Sequence, residues 1–154
     1  RVALFAVIAF AIDQASKAYV LYWLRLREVG TFEVFPPFLV FRMAWNEGIN
    51  FGLFADFDAR WALVSLAIAI VVGLLIWVWR TPMPPIAQIA AGRMVCGALG
   101  NVIDRVFYGA VVDFLNMSCC GIQNPFSFNI ADAAVFLGVL GLVIWAPSGQ
   151  SKTE

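Results

Sequence analysis

Histidine is absent from the 154-residue chain, and with it go the Ser-His and Cys-His nucleophilic systems and most transition-metal sites. Cysteine is scarce: Cys96, Cys119 and Cys120 are too few for a four-ligand zinc site without histidine. Charge is scarce as well, with Asp, Glu, Lys and Arg at 13% against about 25% in soluble domains. Ten basic residues balance ten acidic ones. No basic excess exists to neutralise phosphates, so nucleic acid is not an expected partner. Catalysis, if any, falls to carboxylates, lysine, hydroxyls or backbone, and neither a metal nor another cofactor is called for.

What is present is apolar. Hydrophobic residues make up 62% of the chain, too many for a water-soluble domain to cover with polar surface, so lipid must be the solvent for much of it. Trp61 to Trp79 runs without a charge between Arg60 and Arg80 and carries Trp at both ends, the pattern of a membrane span. Phe128 to Ala146 is a second span, polar only at Asn129 and Asp132. Val2 to Leu24 is a third, interrupted by Asp13-Gln14-Ala15-Ser16-Lys17, and Pro85 to Val106 a fourth, holding Arg93, Asn101, Asp104 and Arg105. Gly92, Cys96 and Gly100 recur every fourth residue there, a spacing that lets membrane helices approach closely. The expectation is one all-α integral membrane domain over residues 1–154, with four transmembrane helices at about 2–24, 61–79, 85–106 and 128–146.

Four crossings bring the loops at about 25–60 and 107–127 to the same membrane face. The other face receives the termini and the short Arg80 to Pro84 turn. The first long loop reads as a small aromatic sheet: Thr31 to Phe35, a break at Pro36-Pro37, Phe38 to Trp45, a turn at Asn46-Glu47-Gly48, then Asn50 to Phe54. The second contains β-branched Val111 and Val112 beside Asp113. Positive-inside counting disagrees with placing these loops outside, since they carry Arg25, Arg27, Arg42, Arg60 and Arg105 against Arg1, Arg80 and Lys152 opposite.

Six ionisable residues fall inside the spans: Asp13, Lys17, Arg93, Asp104, Arg105 and Asp132. Each costs about 2.5–3.5 kcal/mol at mid-membrane, so they must pair, face the bundle interior or sit near an interface. Asp13 and Lys17 stand four apart on one helix face in the favourable order. They read equally as a self-neutralising pair or as part of a polar site. Arg93, Gly97, Asn101, Asp104 and Arg105 form one stripe. Asn129 and Asp132 have the spacing of a capping box. Asp113 and Asp132, with 18 residues between them, lie on one side of the membrane. If close, they would share a proton and could activate water. A proton relay through Asp13, Lys17, Arg93 and Asp104 is the rival reading, although the span Trp61 to Trp79 offers it no charge. A Ser16/Lys17 dyad is disfavoured, because adjacent helical residues point about 100° apart.

Five segments in order resemble bacterial lipoprotein signal peptidase (signal peptidase II), an intramembrane aspartic peptidase family. They are Asp13-Gln-Ala-Ser-Lys17, Asn46-Glu-Gly48 with Phe51-Gly52, Gly97 to Arg105, Gly109-Ala-Val-Val-Asp113-Phe114 and Phe128-Asn129-Ile-Ala131-Asp132. Cys96, Ile49-Asn50 and Ala133 depart from the usual pattern. The resemblance implies four transmembrane helices with a β-cradle and a second loop on the extracytoplasmic face, in the bacterial inner membrane. It implies a catalytic pair Asp113 and Asp132, with Asn46, Gly48, Asn101, Arg105 and Asn129 holding substrate or orienting the pair, and Asp13, Lys17 and Asp104 in support. It further implies a diacylglyceryl-modified prolipoprotein substrate cut before the lipidated cysteine, membrane lipids as partners, inhibition by globomycin, and action as a monomer. Cys119-Cys120 has no place in that pattern.

Overall fold

A computed structural model describes residues 2–48 and 59–147. The elements, in order, are α1 (Val2–Ala18), a π-helical continuation (Tyr19–Trp23), α2 (Leu26–Val29), β1 (Thr31–Phe35), β2 (Leu39–Asn46), α3 (Ala59–Arg80), α4 (Pro85–Tyr108), β3 (Val111–Asn116) and α5 (Ile130–Trp145). The four expected long helices are present, each displaced by a few residues at its ends. The last starts at Ile130 rather than 128 because Phe128 is engaged elsewhere: its N–H and C=O bond the backbone of β3, leaving Asn129 as the cap. The expected segment Asn50 to Phe54 lies outside the described residues.

Helix α4 is the axis of the bundle, packed against α5, α1 and α3. Small residues make the α4–α5 contact possible. A Cβ at Gly97 would collide with the Ala131 carbonyl oxygen and lie 2.7 Å from Val135, and one at Gly138 would lie 2.7 Å from the Ala90 carbonyl oxygen. The close approach therefore runs through Gly97 and Gly100 rather than along Gly92 and Cys96, which are only half-buried. The outward faces are apolar: α3 buries only Val71 and Leu74, and Phe136, Leu137, Val143 and Ile144 of α5 stand exposed. Two helices, Ala59–Arg80 and Pro85–Tyr108, are long and apolar enough to cross a bilayer. An apolar exterior over an interior that is partly polar is the arrangement lipid solvent demands.

The sheet joins the two long loops. Its order is β1-β2-β3, all antiparallel, with Ala44 opposite Asp113 and Asn46 opposite Val111. Sequence alone leaves the second loop unpaired; in the fold it supplies the third strand. Val112 and Phe114 point into a core with Val20 and Leu26, and Phe114 meets Phe41 edge to face at 5.4 Å. The π turn after Ala18 brings Val20 into that core, a use of widened helix often seen beside functional sites. Strand alternation then turns Asp113 to the opposite face.

Candidate active site

Asp113 is 2% exposed. Its Oδ1 accepts from Asn129 Nδ2 at 2.6 Å and its Oδ2 from Asn46 Nδ2 at 3.1 Å. Asn46 can reach it because the two are diagonal neighbours on one face of the β2–β3 ladder. The Asn46 Oδ1 in turn accepts from the Gly48 N–H at 3.0 Å, an Asx turn. Gly48 has φ of 100°, a conformation that favours glycine, and a Cβ there would also displace the Leu63 side chain.

Asp132 stands in the first turn of α5, half-buried. Its Oδ1 accepts from Asn101 Nδ2 at 2.8 Å and its Oδ2 from the Asn129 N–H at 3.2 Å, while the Asn129 Oδ1 accepts from the Asp132 N–H at 2.9 Å. This is the reciprocal capping box the spacing suggests. It does not displace a chemical role, because Asn129 also touches Asp113. One fully buried amide thus links the two acids. The link is set by backbone: Phe128 pairs with Leu115 next to Asp113, which delivers Asn129 to the strand.

Every amide orientation in the network is fixed by its partners. Asn101 Oδ1 accepts from Asn129 Nδ2 at 3.2 Å and from Lys17 Nζ at 3.3 Å, so its Nδ2 must face Asp132. Lys17 is itself clamped between Asp13 at 2.8 Å and Asp104 at 2.7 Å, all three almost completely buried. Backbone N–H groups also donate to both carboxylates. Ala131 N–H, at the start of α5, donates to Asp13 Oδ1 at 2.8 Å, and Val112 N–H donates to Asp104 Oδ2 at 3.1 Å. Both contacts tie the triad to residues adjacent in sequence to Asp132 and Asp113. Asp13 and Lys17 therefore form the pair their spacing suggests, and their position makes them a foundation for the site as well. Gln14, to which sequence reading assigned no role, donates to Asp13 and Asp104 at 3.1 and 3.4 Å; its place between Asp13 and Lys17 in an apolar span was the available signal.

Arg105 holds no ion pair among the described residues. Its Nη1 donates to the Asn101 carbonyl at 3.5 Å, its Nε is buried without a hydrogen-bond partner, and it feels the charges of Asp132, Asp113 and Asp104. Arg93, expected in the same stripe, is exposed. The buried part of the stripe begins one turn later, at Gly97, which packs against Ala131 and Val135 of α5.

Electrostatics follow from burial. The Asp113 carboxyl is pushed from about 3.8 up to about 6, chiefly by loss of solvent and then by the nearby Asp132 charge. The Asn46 and Asn129 hydrogen bonds and the Lys17 charge oppose the shift. Two carboxyls, one of them hard to ionise, both hydrogen-bonded to Asn129 (Asp113 by its side-chain amide, Asp132 by its backbone N–H) and backed by a buried cation, favour retention of a proton up to about pH 6.

Comparison with known proteins decides the family. The family profile described as Signal peptidase (SPase) II matches residues 5–147. The chain belongs to the signal peptidase II family. It is 40% identical over 147 residues to the lipoprotein signal peptidase of Methylorubrum extorquens (strain PA1), covering 94% of this chain and 84% of that one. It is 41% identical over 143 residues to that of Rhodopseudomonas palustris (strain TIE-1), covering 90% and 86%. Among solved structures, a bacterial membrane enzyme determined at 2.3 Å resolution by the in meso method is similar, with a TM-score of 0.77 and 30% identity over 98% of this chain and 92% of that one. A second, at 1.9 Å, has a TM-score of 0.80 and 31% identity over 92% and 88%. The helical bundle with its three-stranded sheet is thus a signal peptidase II membrane-enzyme fold, and the chain is a peptidase.

Proposed function

We propose that this signal peptidase II removes signal peptides from diacylglyceryl-modified prolipoproteins, with Asp113 and Asp132 as its catalytic pair. The observation that carries the assignment is buried Asn129, whose side-chain amide donates to the Asp113 carboxylate and whose backbone N–H donates to the Asp132 carboxylate, the two acids arriving from separate segments. In the resting pair the proton lies on Asp113, whose burial disfavours its charge. Asp132, fastened by Asn101 and the Asn129 N–H at the α5 N-terminus, is oriented as the proton acceptor. Asp132 takes a proton from a water as the water oxygen bonds to the scissile carbonyl carbon. Asp113 donates a hydrogen bond to the carbonyl oxygen, stabilising the charge that develops there. Collapse of the tetrahedral adduct breaks the C–N bond, and the leaving amine takes up the proton Asp132 had received.

The proposal places α1 with its π turn, α3, α4 and α5 across the inner membrane as four spans of one domain. The sheet and the 107–127 loop then lie at the outer face. Asn46, Gly48 and the sheet edge would hold substrate backbone, Arg105 would face the reacting carbonyl, and Asp13, Lys17 and Asp104 would keep Asn101 and the ends of β3 and α5 in place. Having the pair at helix and strand ends beside lipid suits a substrate whose lipid chains enter sideways. Globomycin would compete there. Nothing in the mechanism needs a second copy of the chain.

The proposal is tested by cleavage of a diacylglyceryl-modified precursor peptide by wild-type, Asp113→Asn and Asp132→Asn proteins of equal helicity. Each substitution is expected to lower kcat by about a thousandfold or more, as loss of an acid–base partner does. Substantial turnover in both variants contradicts the assignment.

A further inference from the structure

Cys119 and Cys120 belong neither to the site nor to the core. Both are exposed, and their sulfurs lie 2.8 Å apart. They stand on a turn closed by the Ile122 N–H donating to the Cys119 carbonyl at 2.9 Å, with positive φ at Cys120 (61°) and Gly121 (80°). A left-handed conformation is unfavourable at a residue with a side chain, so the turn has to be imposed from outside. Its base supplies the constraint: Asn116 Nδ2 donates to the carbonyls of Asn124 and Phe126 at 2.9 and 2.8 Å, and the Asn124 N–H donates to Ser118 Oγ at 3.0 Å. The two thiols are thereby held side by side at the tip of the loop between Asp113 and Asp132.

No cluster of three or more His, Cys, Asp or Glu forms among the described residues, so the pair lacks the further ligands of a closed metal site. Its chemistry is that of a dithiol. A single exposed thiol meeting a disulfide ends as a mixed disulfide. A thiol with a second sulfur in contact does not, because the neighbour displaces the adduct.

We propose that Cys119 and Cys120 form a self-resolving redox modification site that closes to a vicinal disulfide when it meets an external disulfide. The Cys120 thiolate attacks one sulfur of the co-reactant RSSR, forming a Cys120–SR bond and expelling RS⁻. Cys119 then gives up its proton and attacks the Cys120 sulfur, forming the Cys119–Cys120 bond and expelling the second RS⁻. The two thiols lose two electrons and two protons, and RSSR becomes two RSH. In the free dithiol the contact with Cys120 raises the Cys119 thiol above its ordinary range, so the first attack is assigned to Cys120. That the site meets such disulfides in the cell rests on the outer-face orientation proposed above, where the compartment is oxidising.

The test uses the full chain in detergent micelles, reduced and then exposed to oxidised glutathione, acid-quenched and mapped by mass spectrometry. The wild-type peptide spanning both cysteines is expected to lose two hydrogens and carry no glutathione, whereas Cys119→Ser accumulates a glutathione adduct on Cys120. Stable adducts on the wild-type pair, or dimers linked through it, overturn the proposal. Orientation is read separately: in intact cells given a reductant and a membrane-impermeant maleimide, Cys119 and Cys120 are expected to be labelled. Absence of label, with normal closure in micelles, overturns the outer-face reading and confines the chemistry to the purified protein.

Discussion

At the scale of single residues, the site is a set of amides with no freedom left to flip. Asn46 lowers the Asp113 pKa by hydrogen bonding to its charged form. Asn46→Ala removes that support, so Asp113 should keep its proton to higher pH. The alkaline fall of kcat/KM is expected to move upward, by several tenths of a pH unit or more, on cleavage assays across pH. The same burial has a stability consequence. Because the folded-state pKa of about 6 lies above the reference of 3.8, ionising Asp113 opposes folding. The cost is absent below the lower value, grows between the two and is complete above the higher one. The difference in melting midpoint between Asp113→Asn and wild type should therefore shift in favour of the variant as pH rises through that window, as followed by thermal unfolding in detergent. Lys17 is the other residue with a sharp expectation. Lys17→Met leaves Asp13 and Asp104 buried without a counter-charge, a loss of about 3–5 kcal/mol. A denaturation midpoint unchanged from wild type would contradict the triad's role.

At the scale of elements, the decisive contact is α4 against α5, since it sets where Asn129 and Asp132 begin. Gly97→Ala pushes against the Ala131 carbonyl and Val135, on the turn that carries Asp132. It should cost about 1–3 kcal/mol and lower activity together with stability. Gly73→Ala, on α3 with nothing within 4 Å of the added carbon, should be neutral or stabilising by up to about 1 kcal/mol from helix propensity. Chemical denaturation of the two variants in the same detergent separates packing from propensity. Much of this level was legible in the sequence: long apolar runs indicated α3 and α5, the acid–base spacing indicated the Asp13–Lys17 pair, and Asn129-x-x-Asp132 indicated the capping box. The pairing of β2 with β3 was not, because strand partners are chosen by long-range packing of Val112 and Phe114 against Val20 of the π-helical segment and Leu26 of α2, which local alternation does not encode. Nor was the outward turn of Arg93. A stripe read at helical spacing assumes one neighbour throughout, whereas α4 has different neighbours along its length.

At the scale of the whole molecule, the fold is a lipid-facing bundle that converges its polar residues on one end. Lys17 pairs with both Asp13 and Asp104, and in the proposed mechanism the acids beside this triad share a proton; pairing of this kind accommodates so many ionisable groups inside one small bundle. Parity of the expected spans put both acids on one membrane face, the arrangement the proposed function adopts, but charge counting argued against the orientation. Arg105 lies near Asp132, Asp113 and Asp104, and if it serves the proposed site its charge does not report topology. The account depends above all on one proton held between Asp113 and Asp132, and the pH dependence of kcat/KM for a lipidated precursor tests it most directly. The expected profile requires one acid protonated and one ionised, so the rate declines as pH rises beyond about 6. A rate that instead climbs steadily from about pH 6 to about pH 8 would require both carboxyls ionised and would contradict the shared-proton pair.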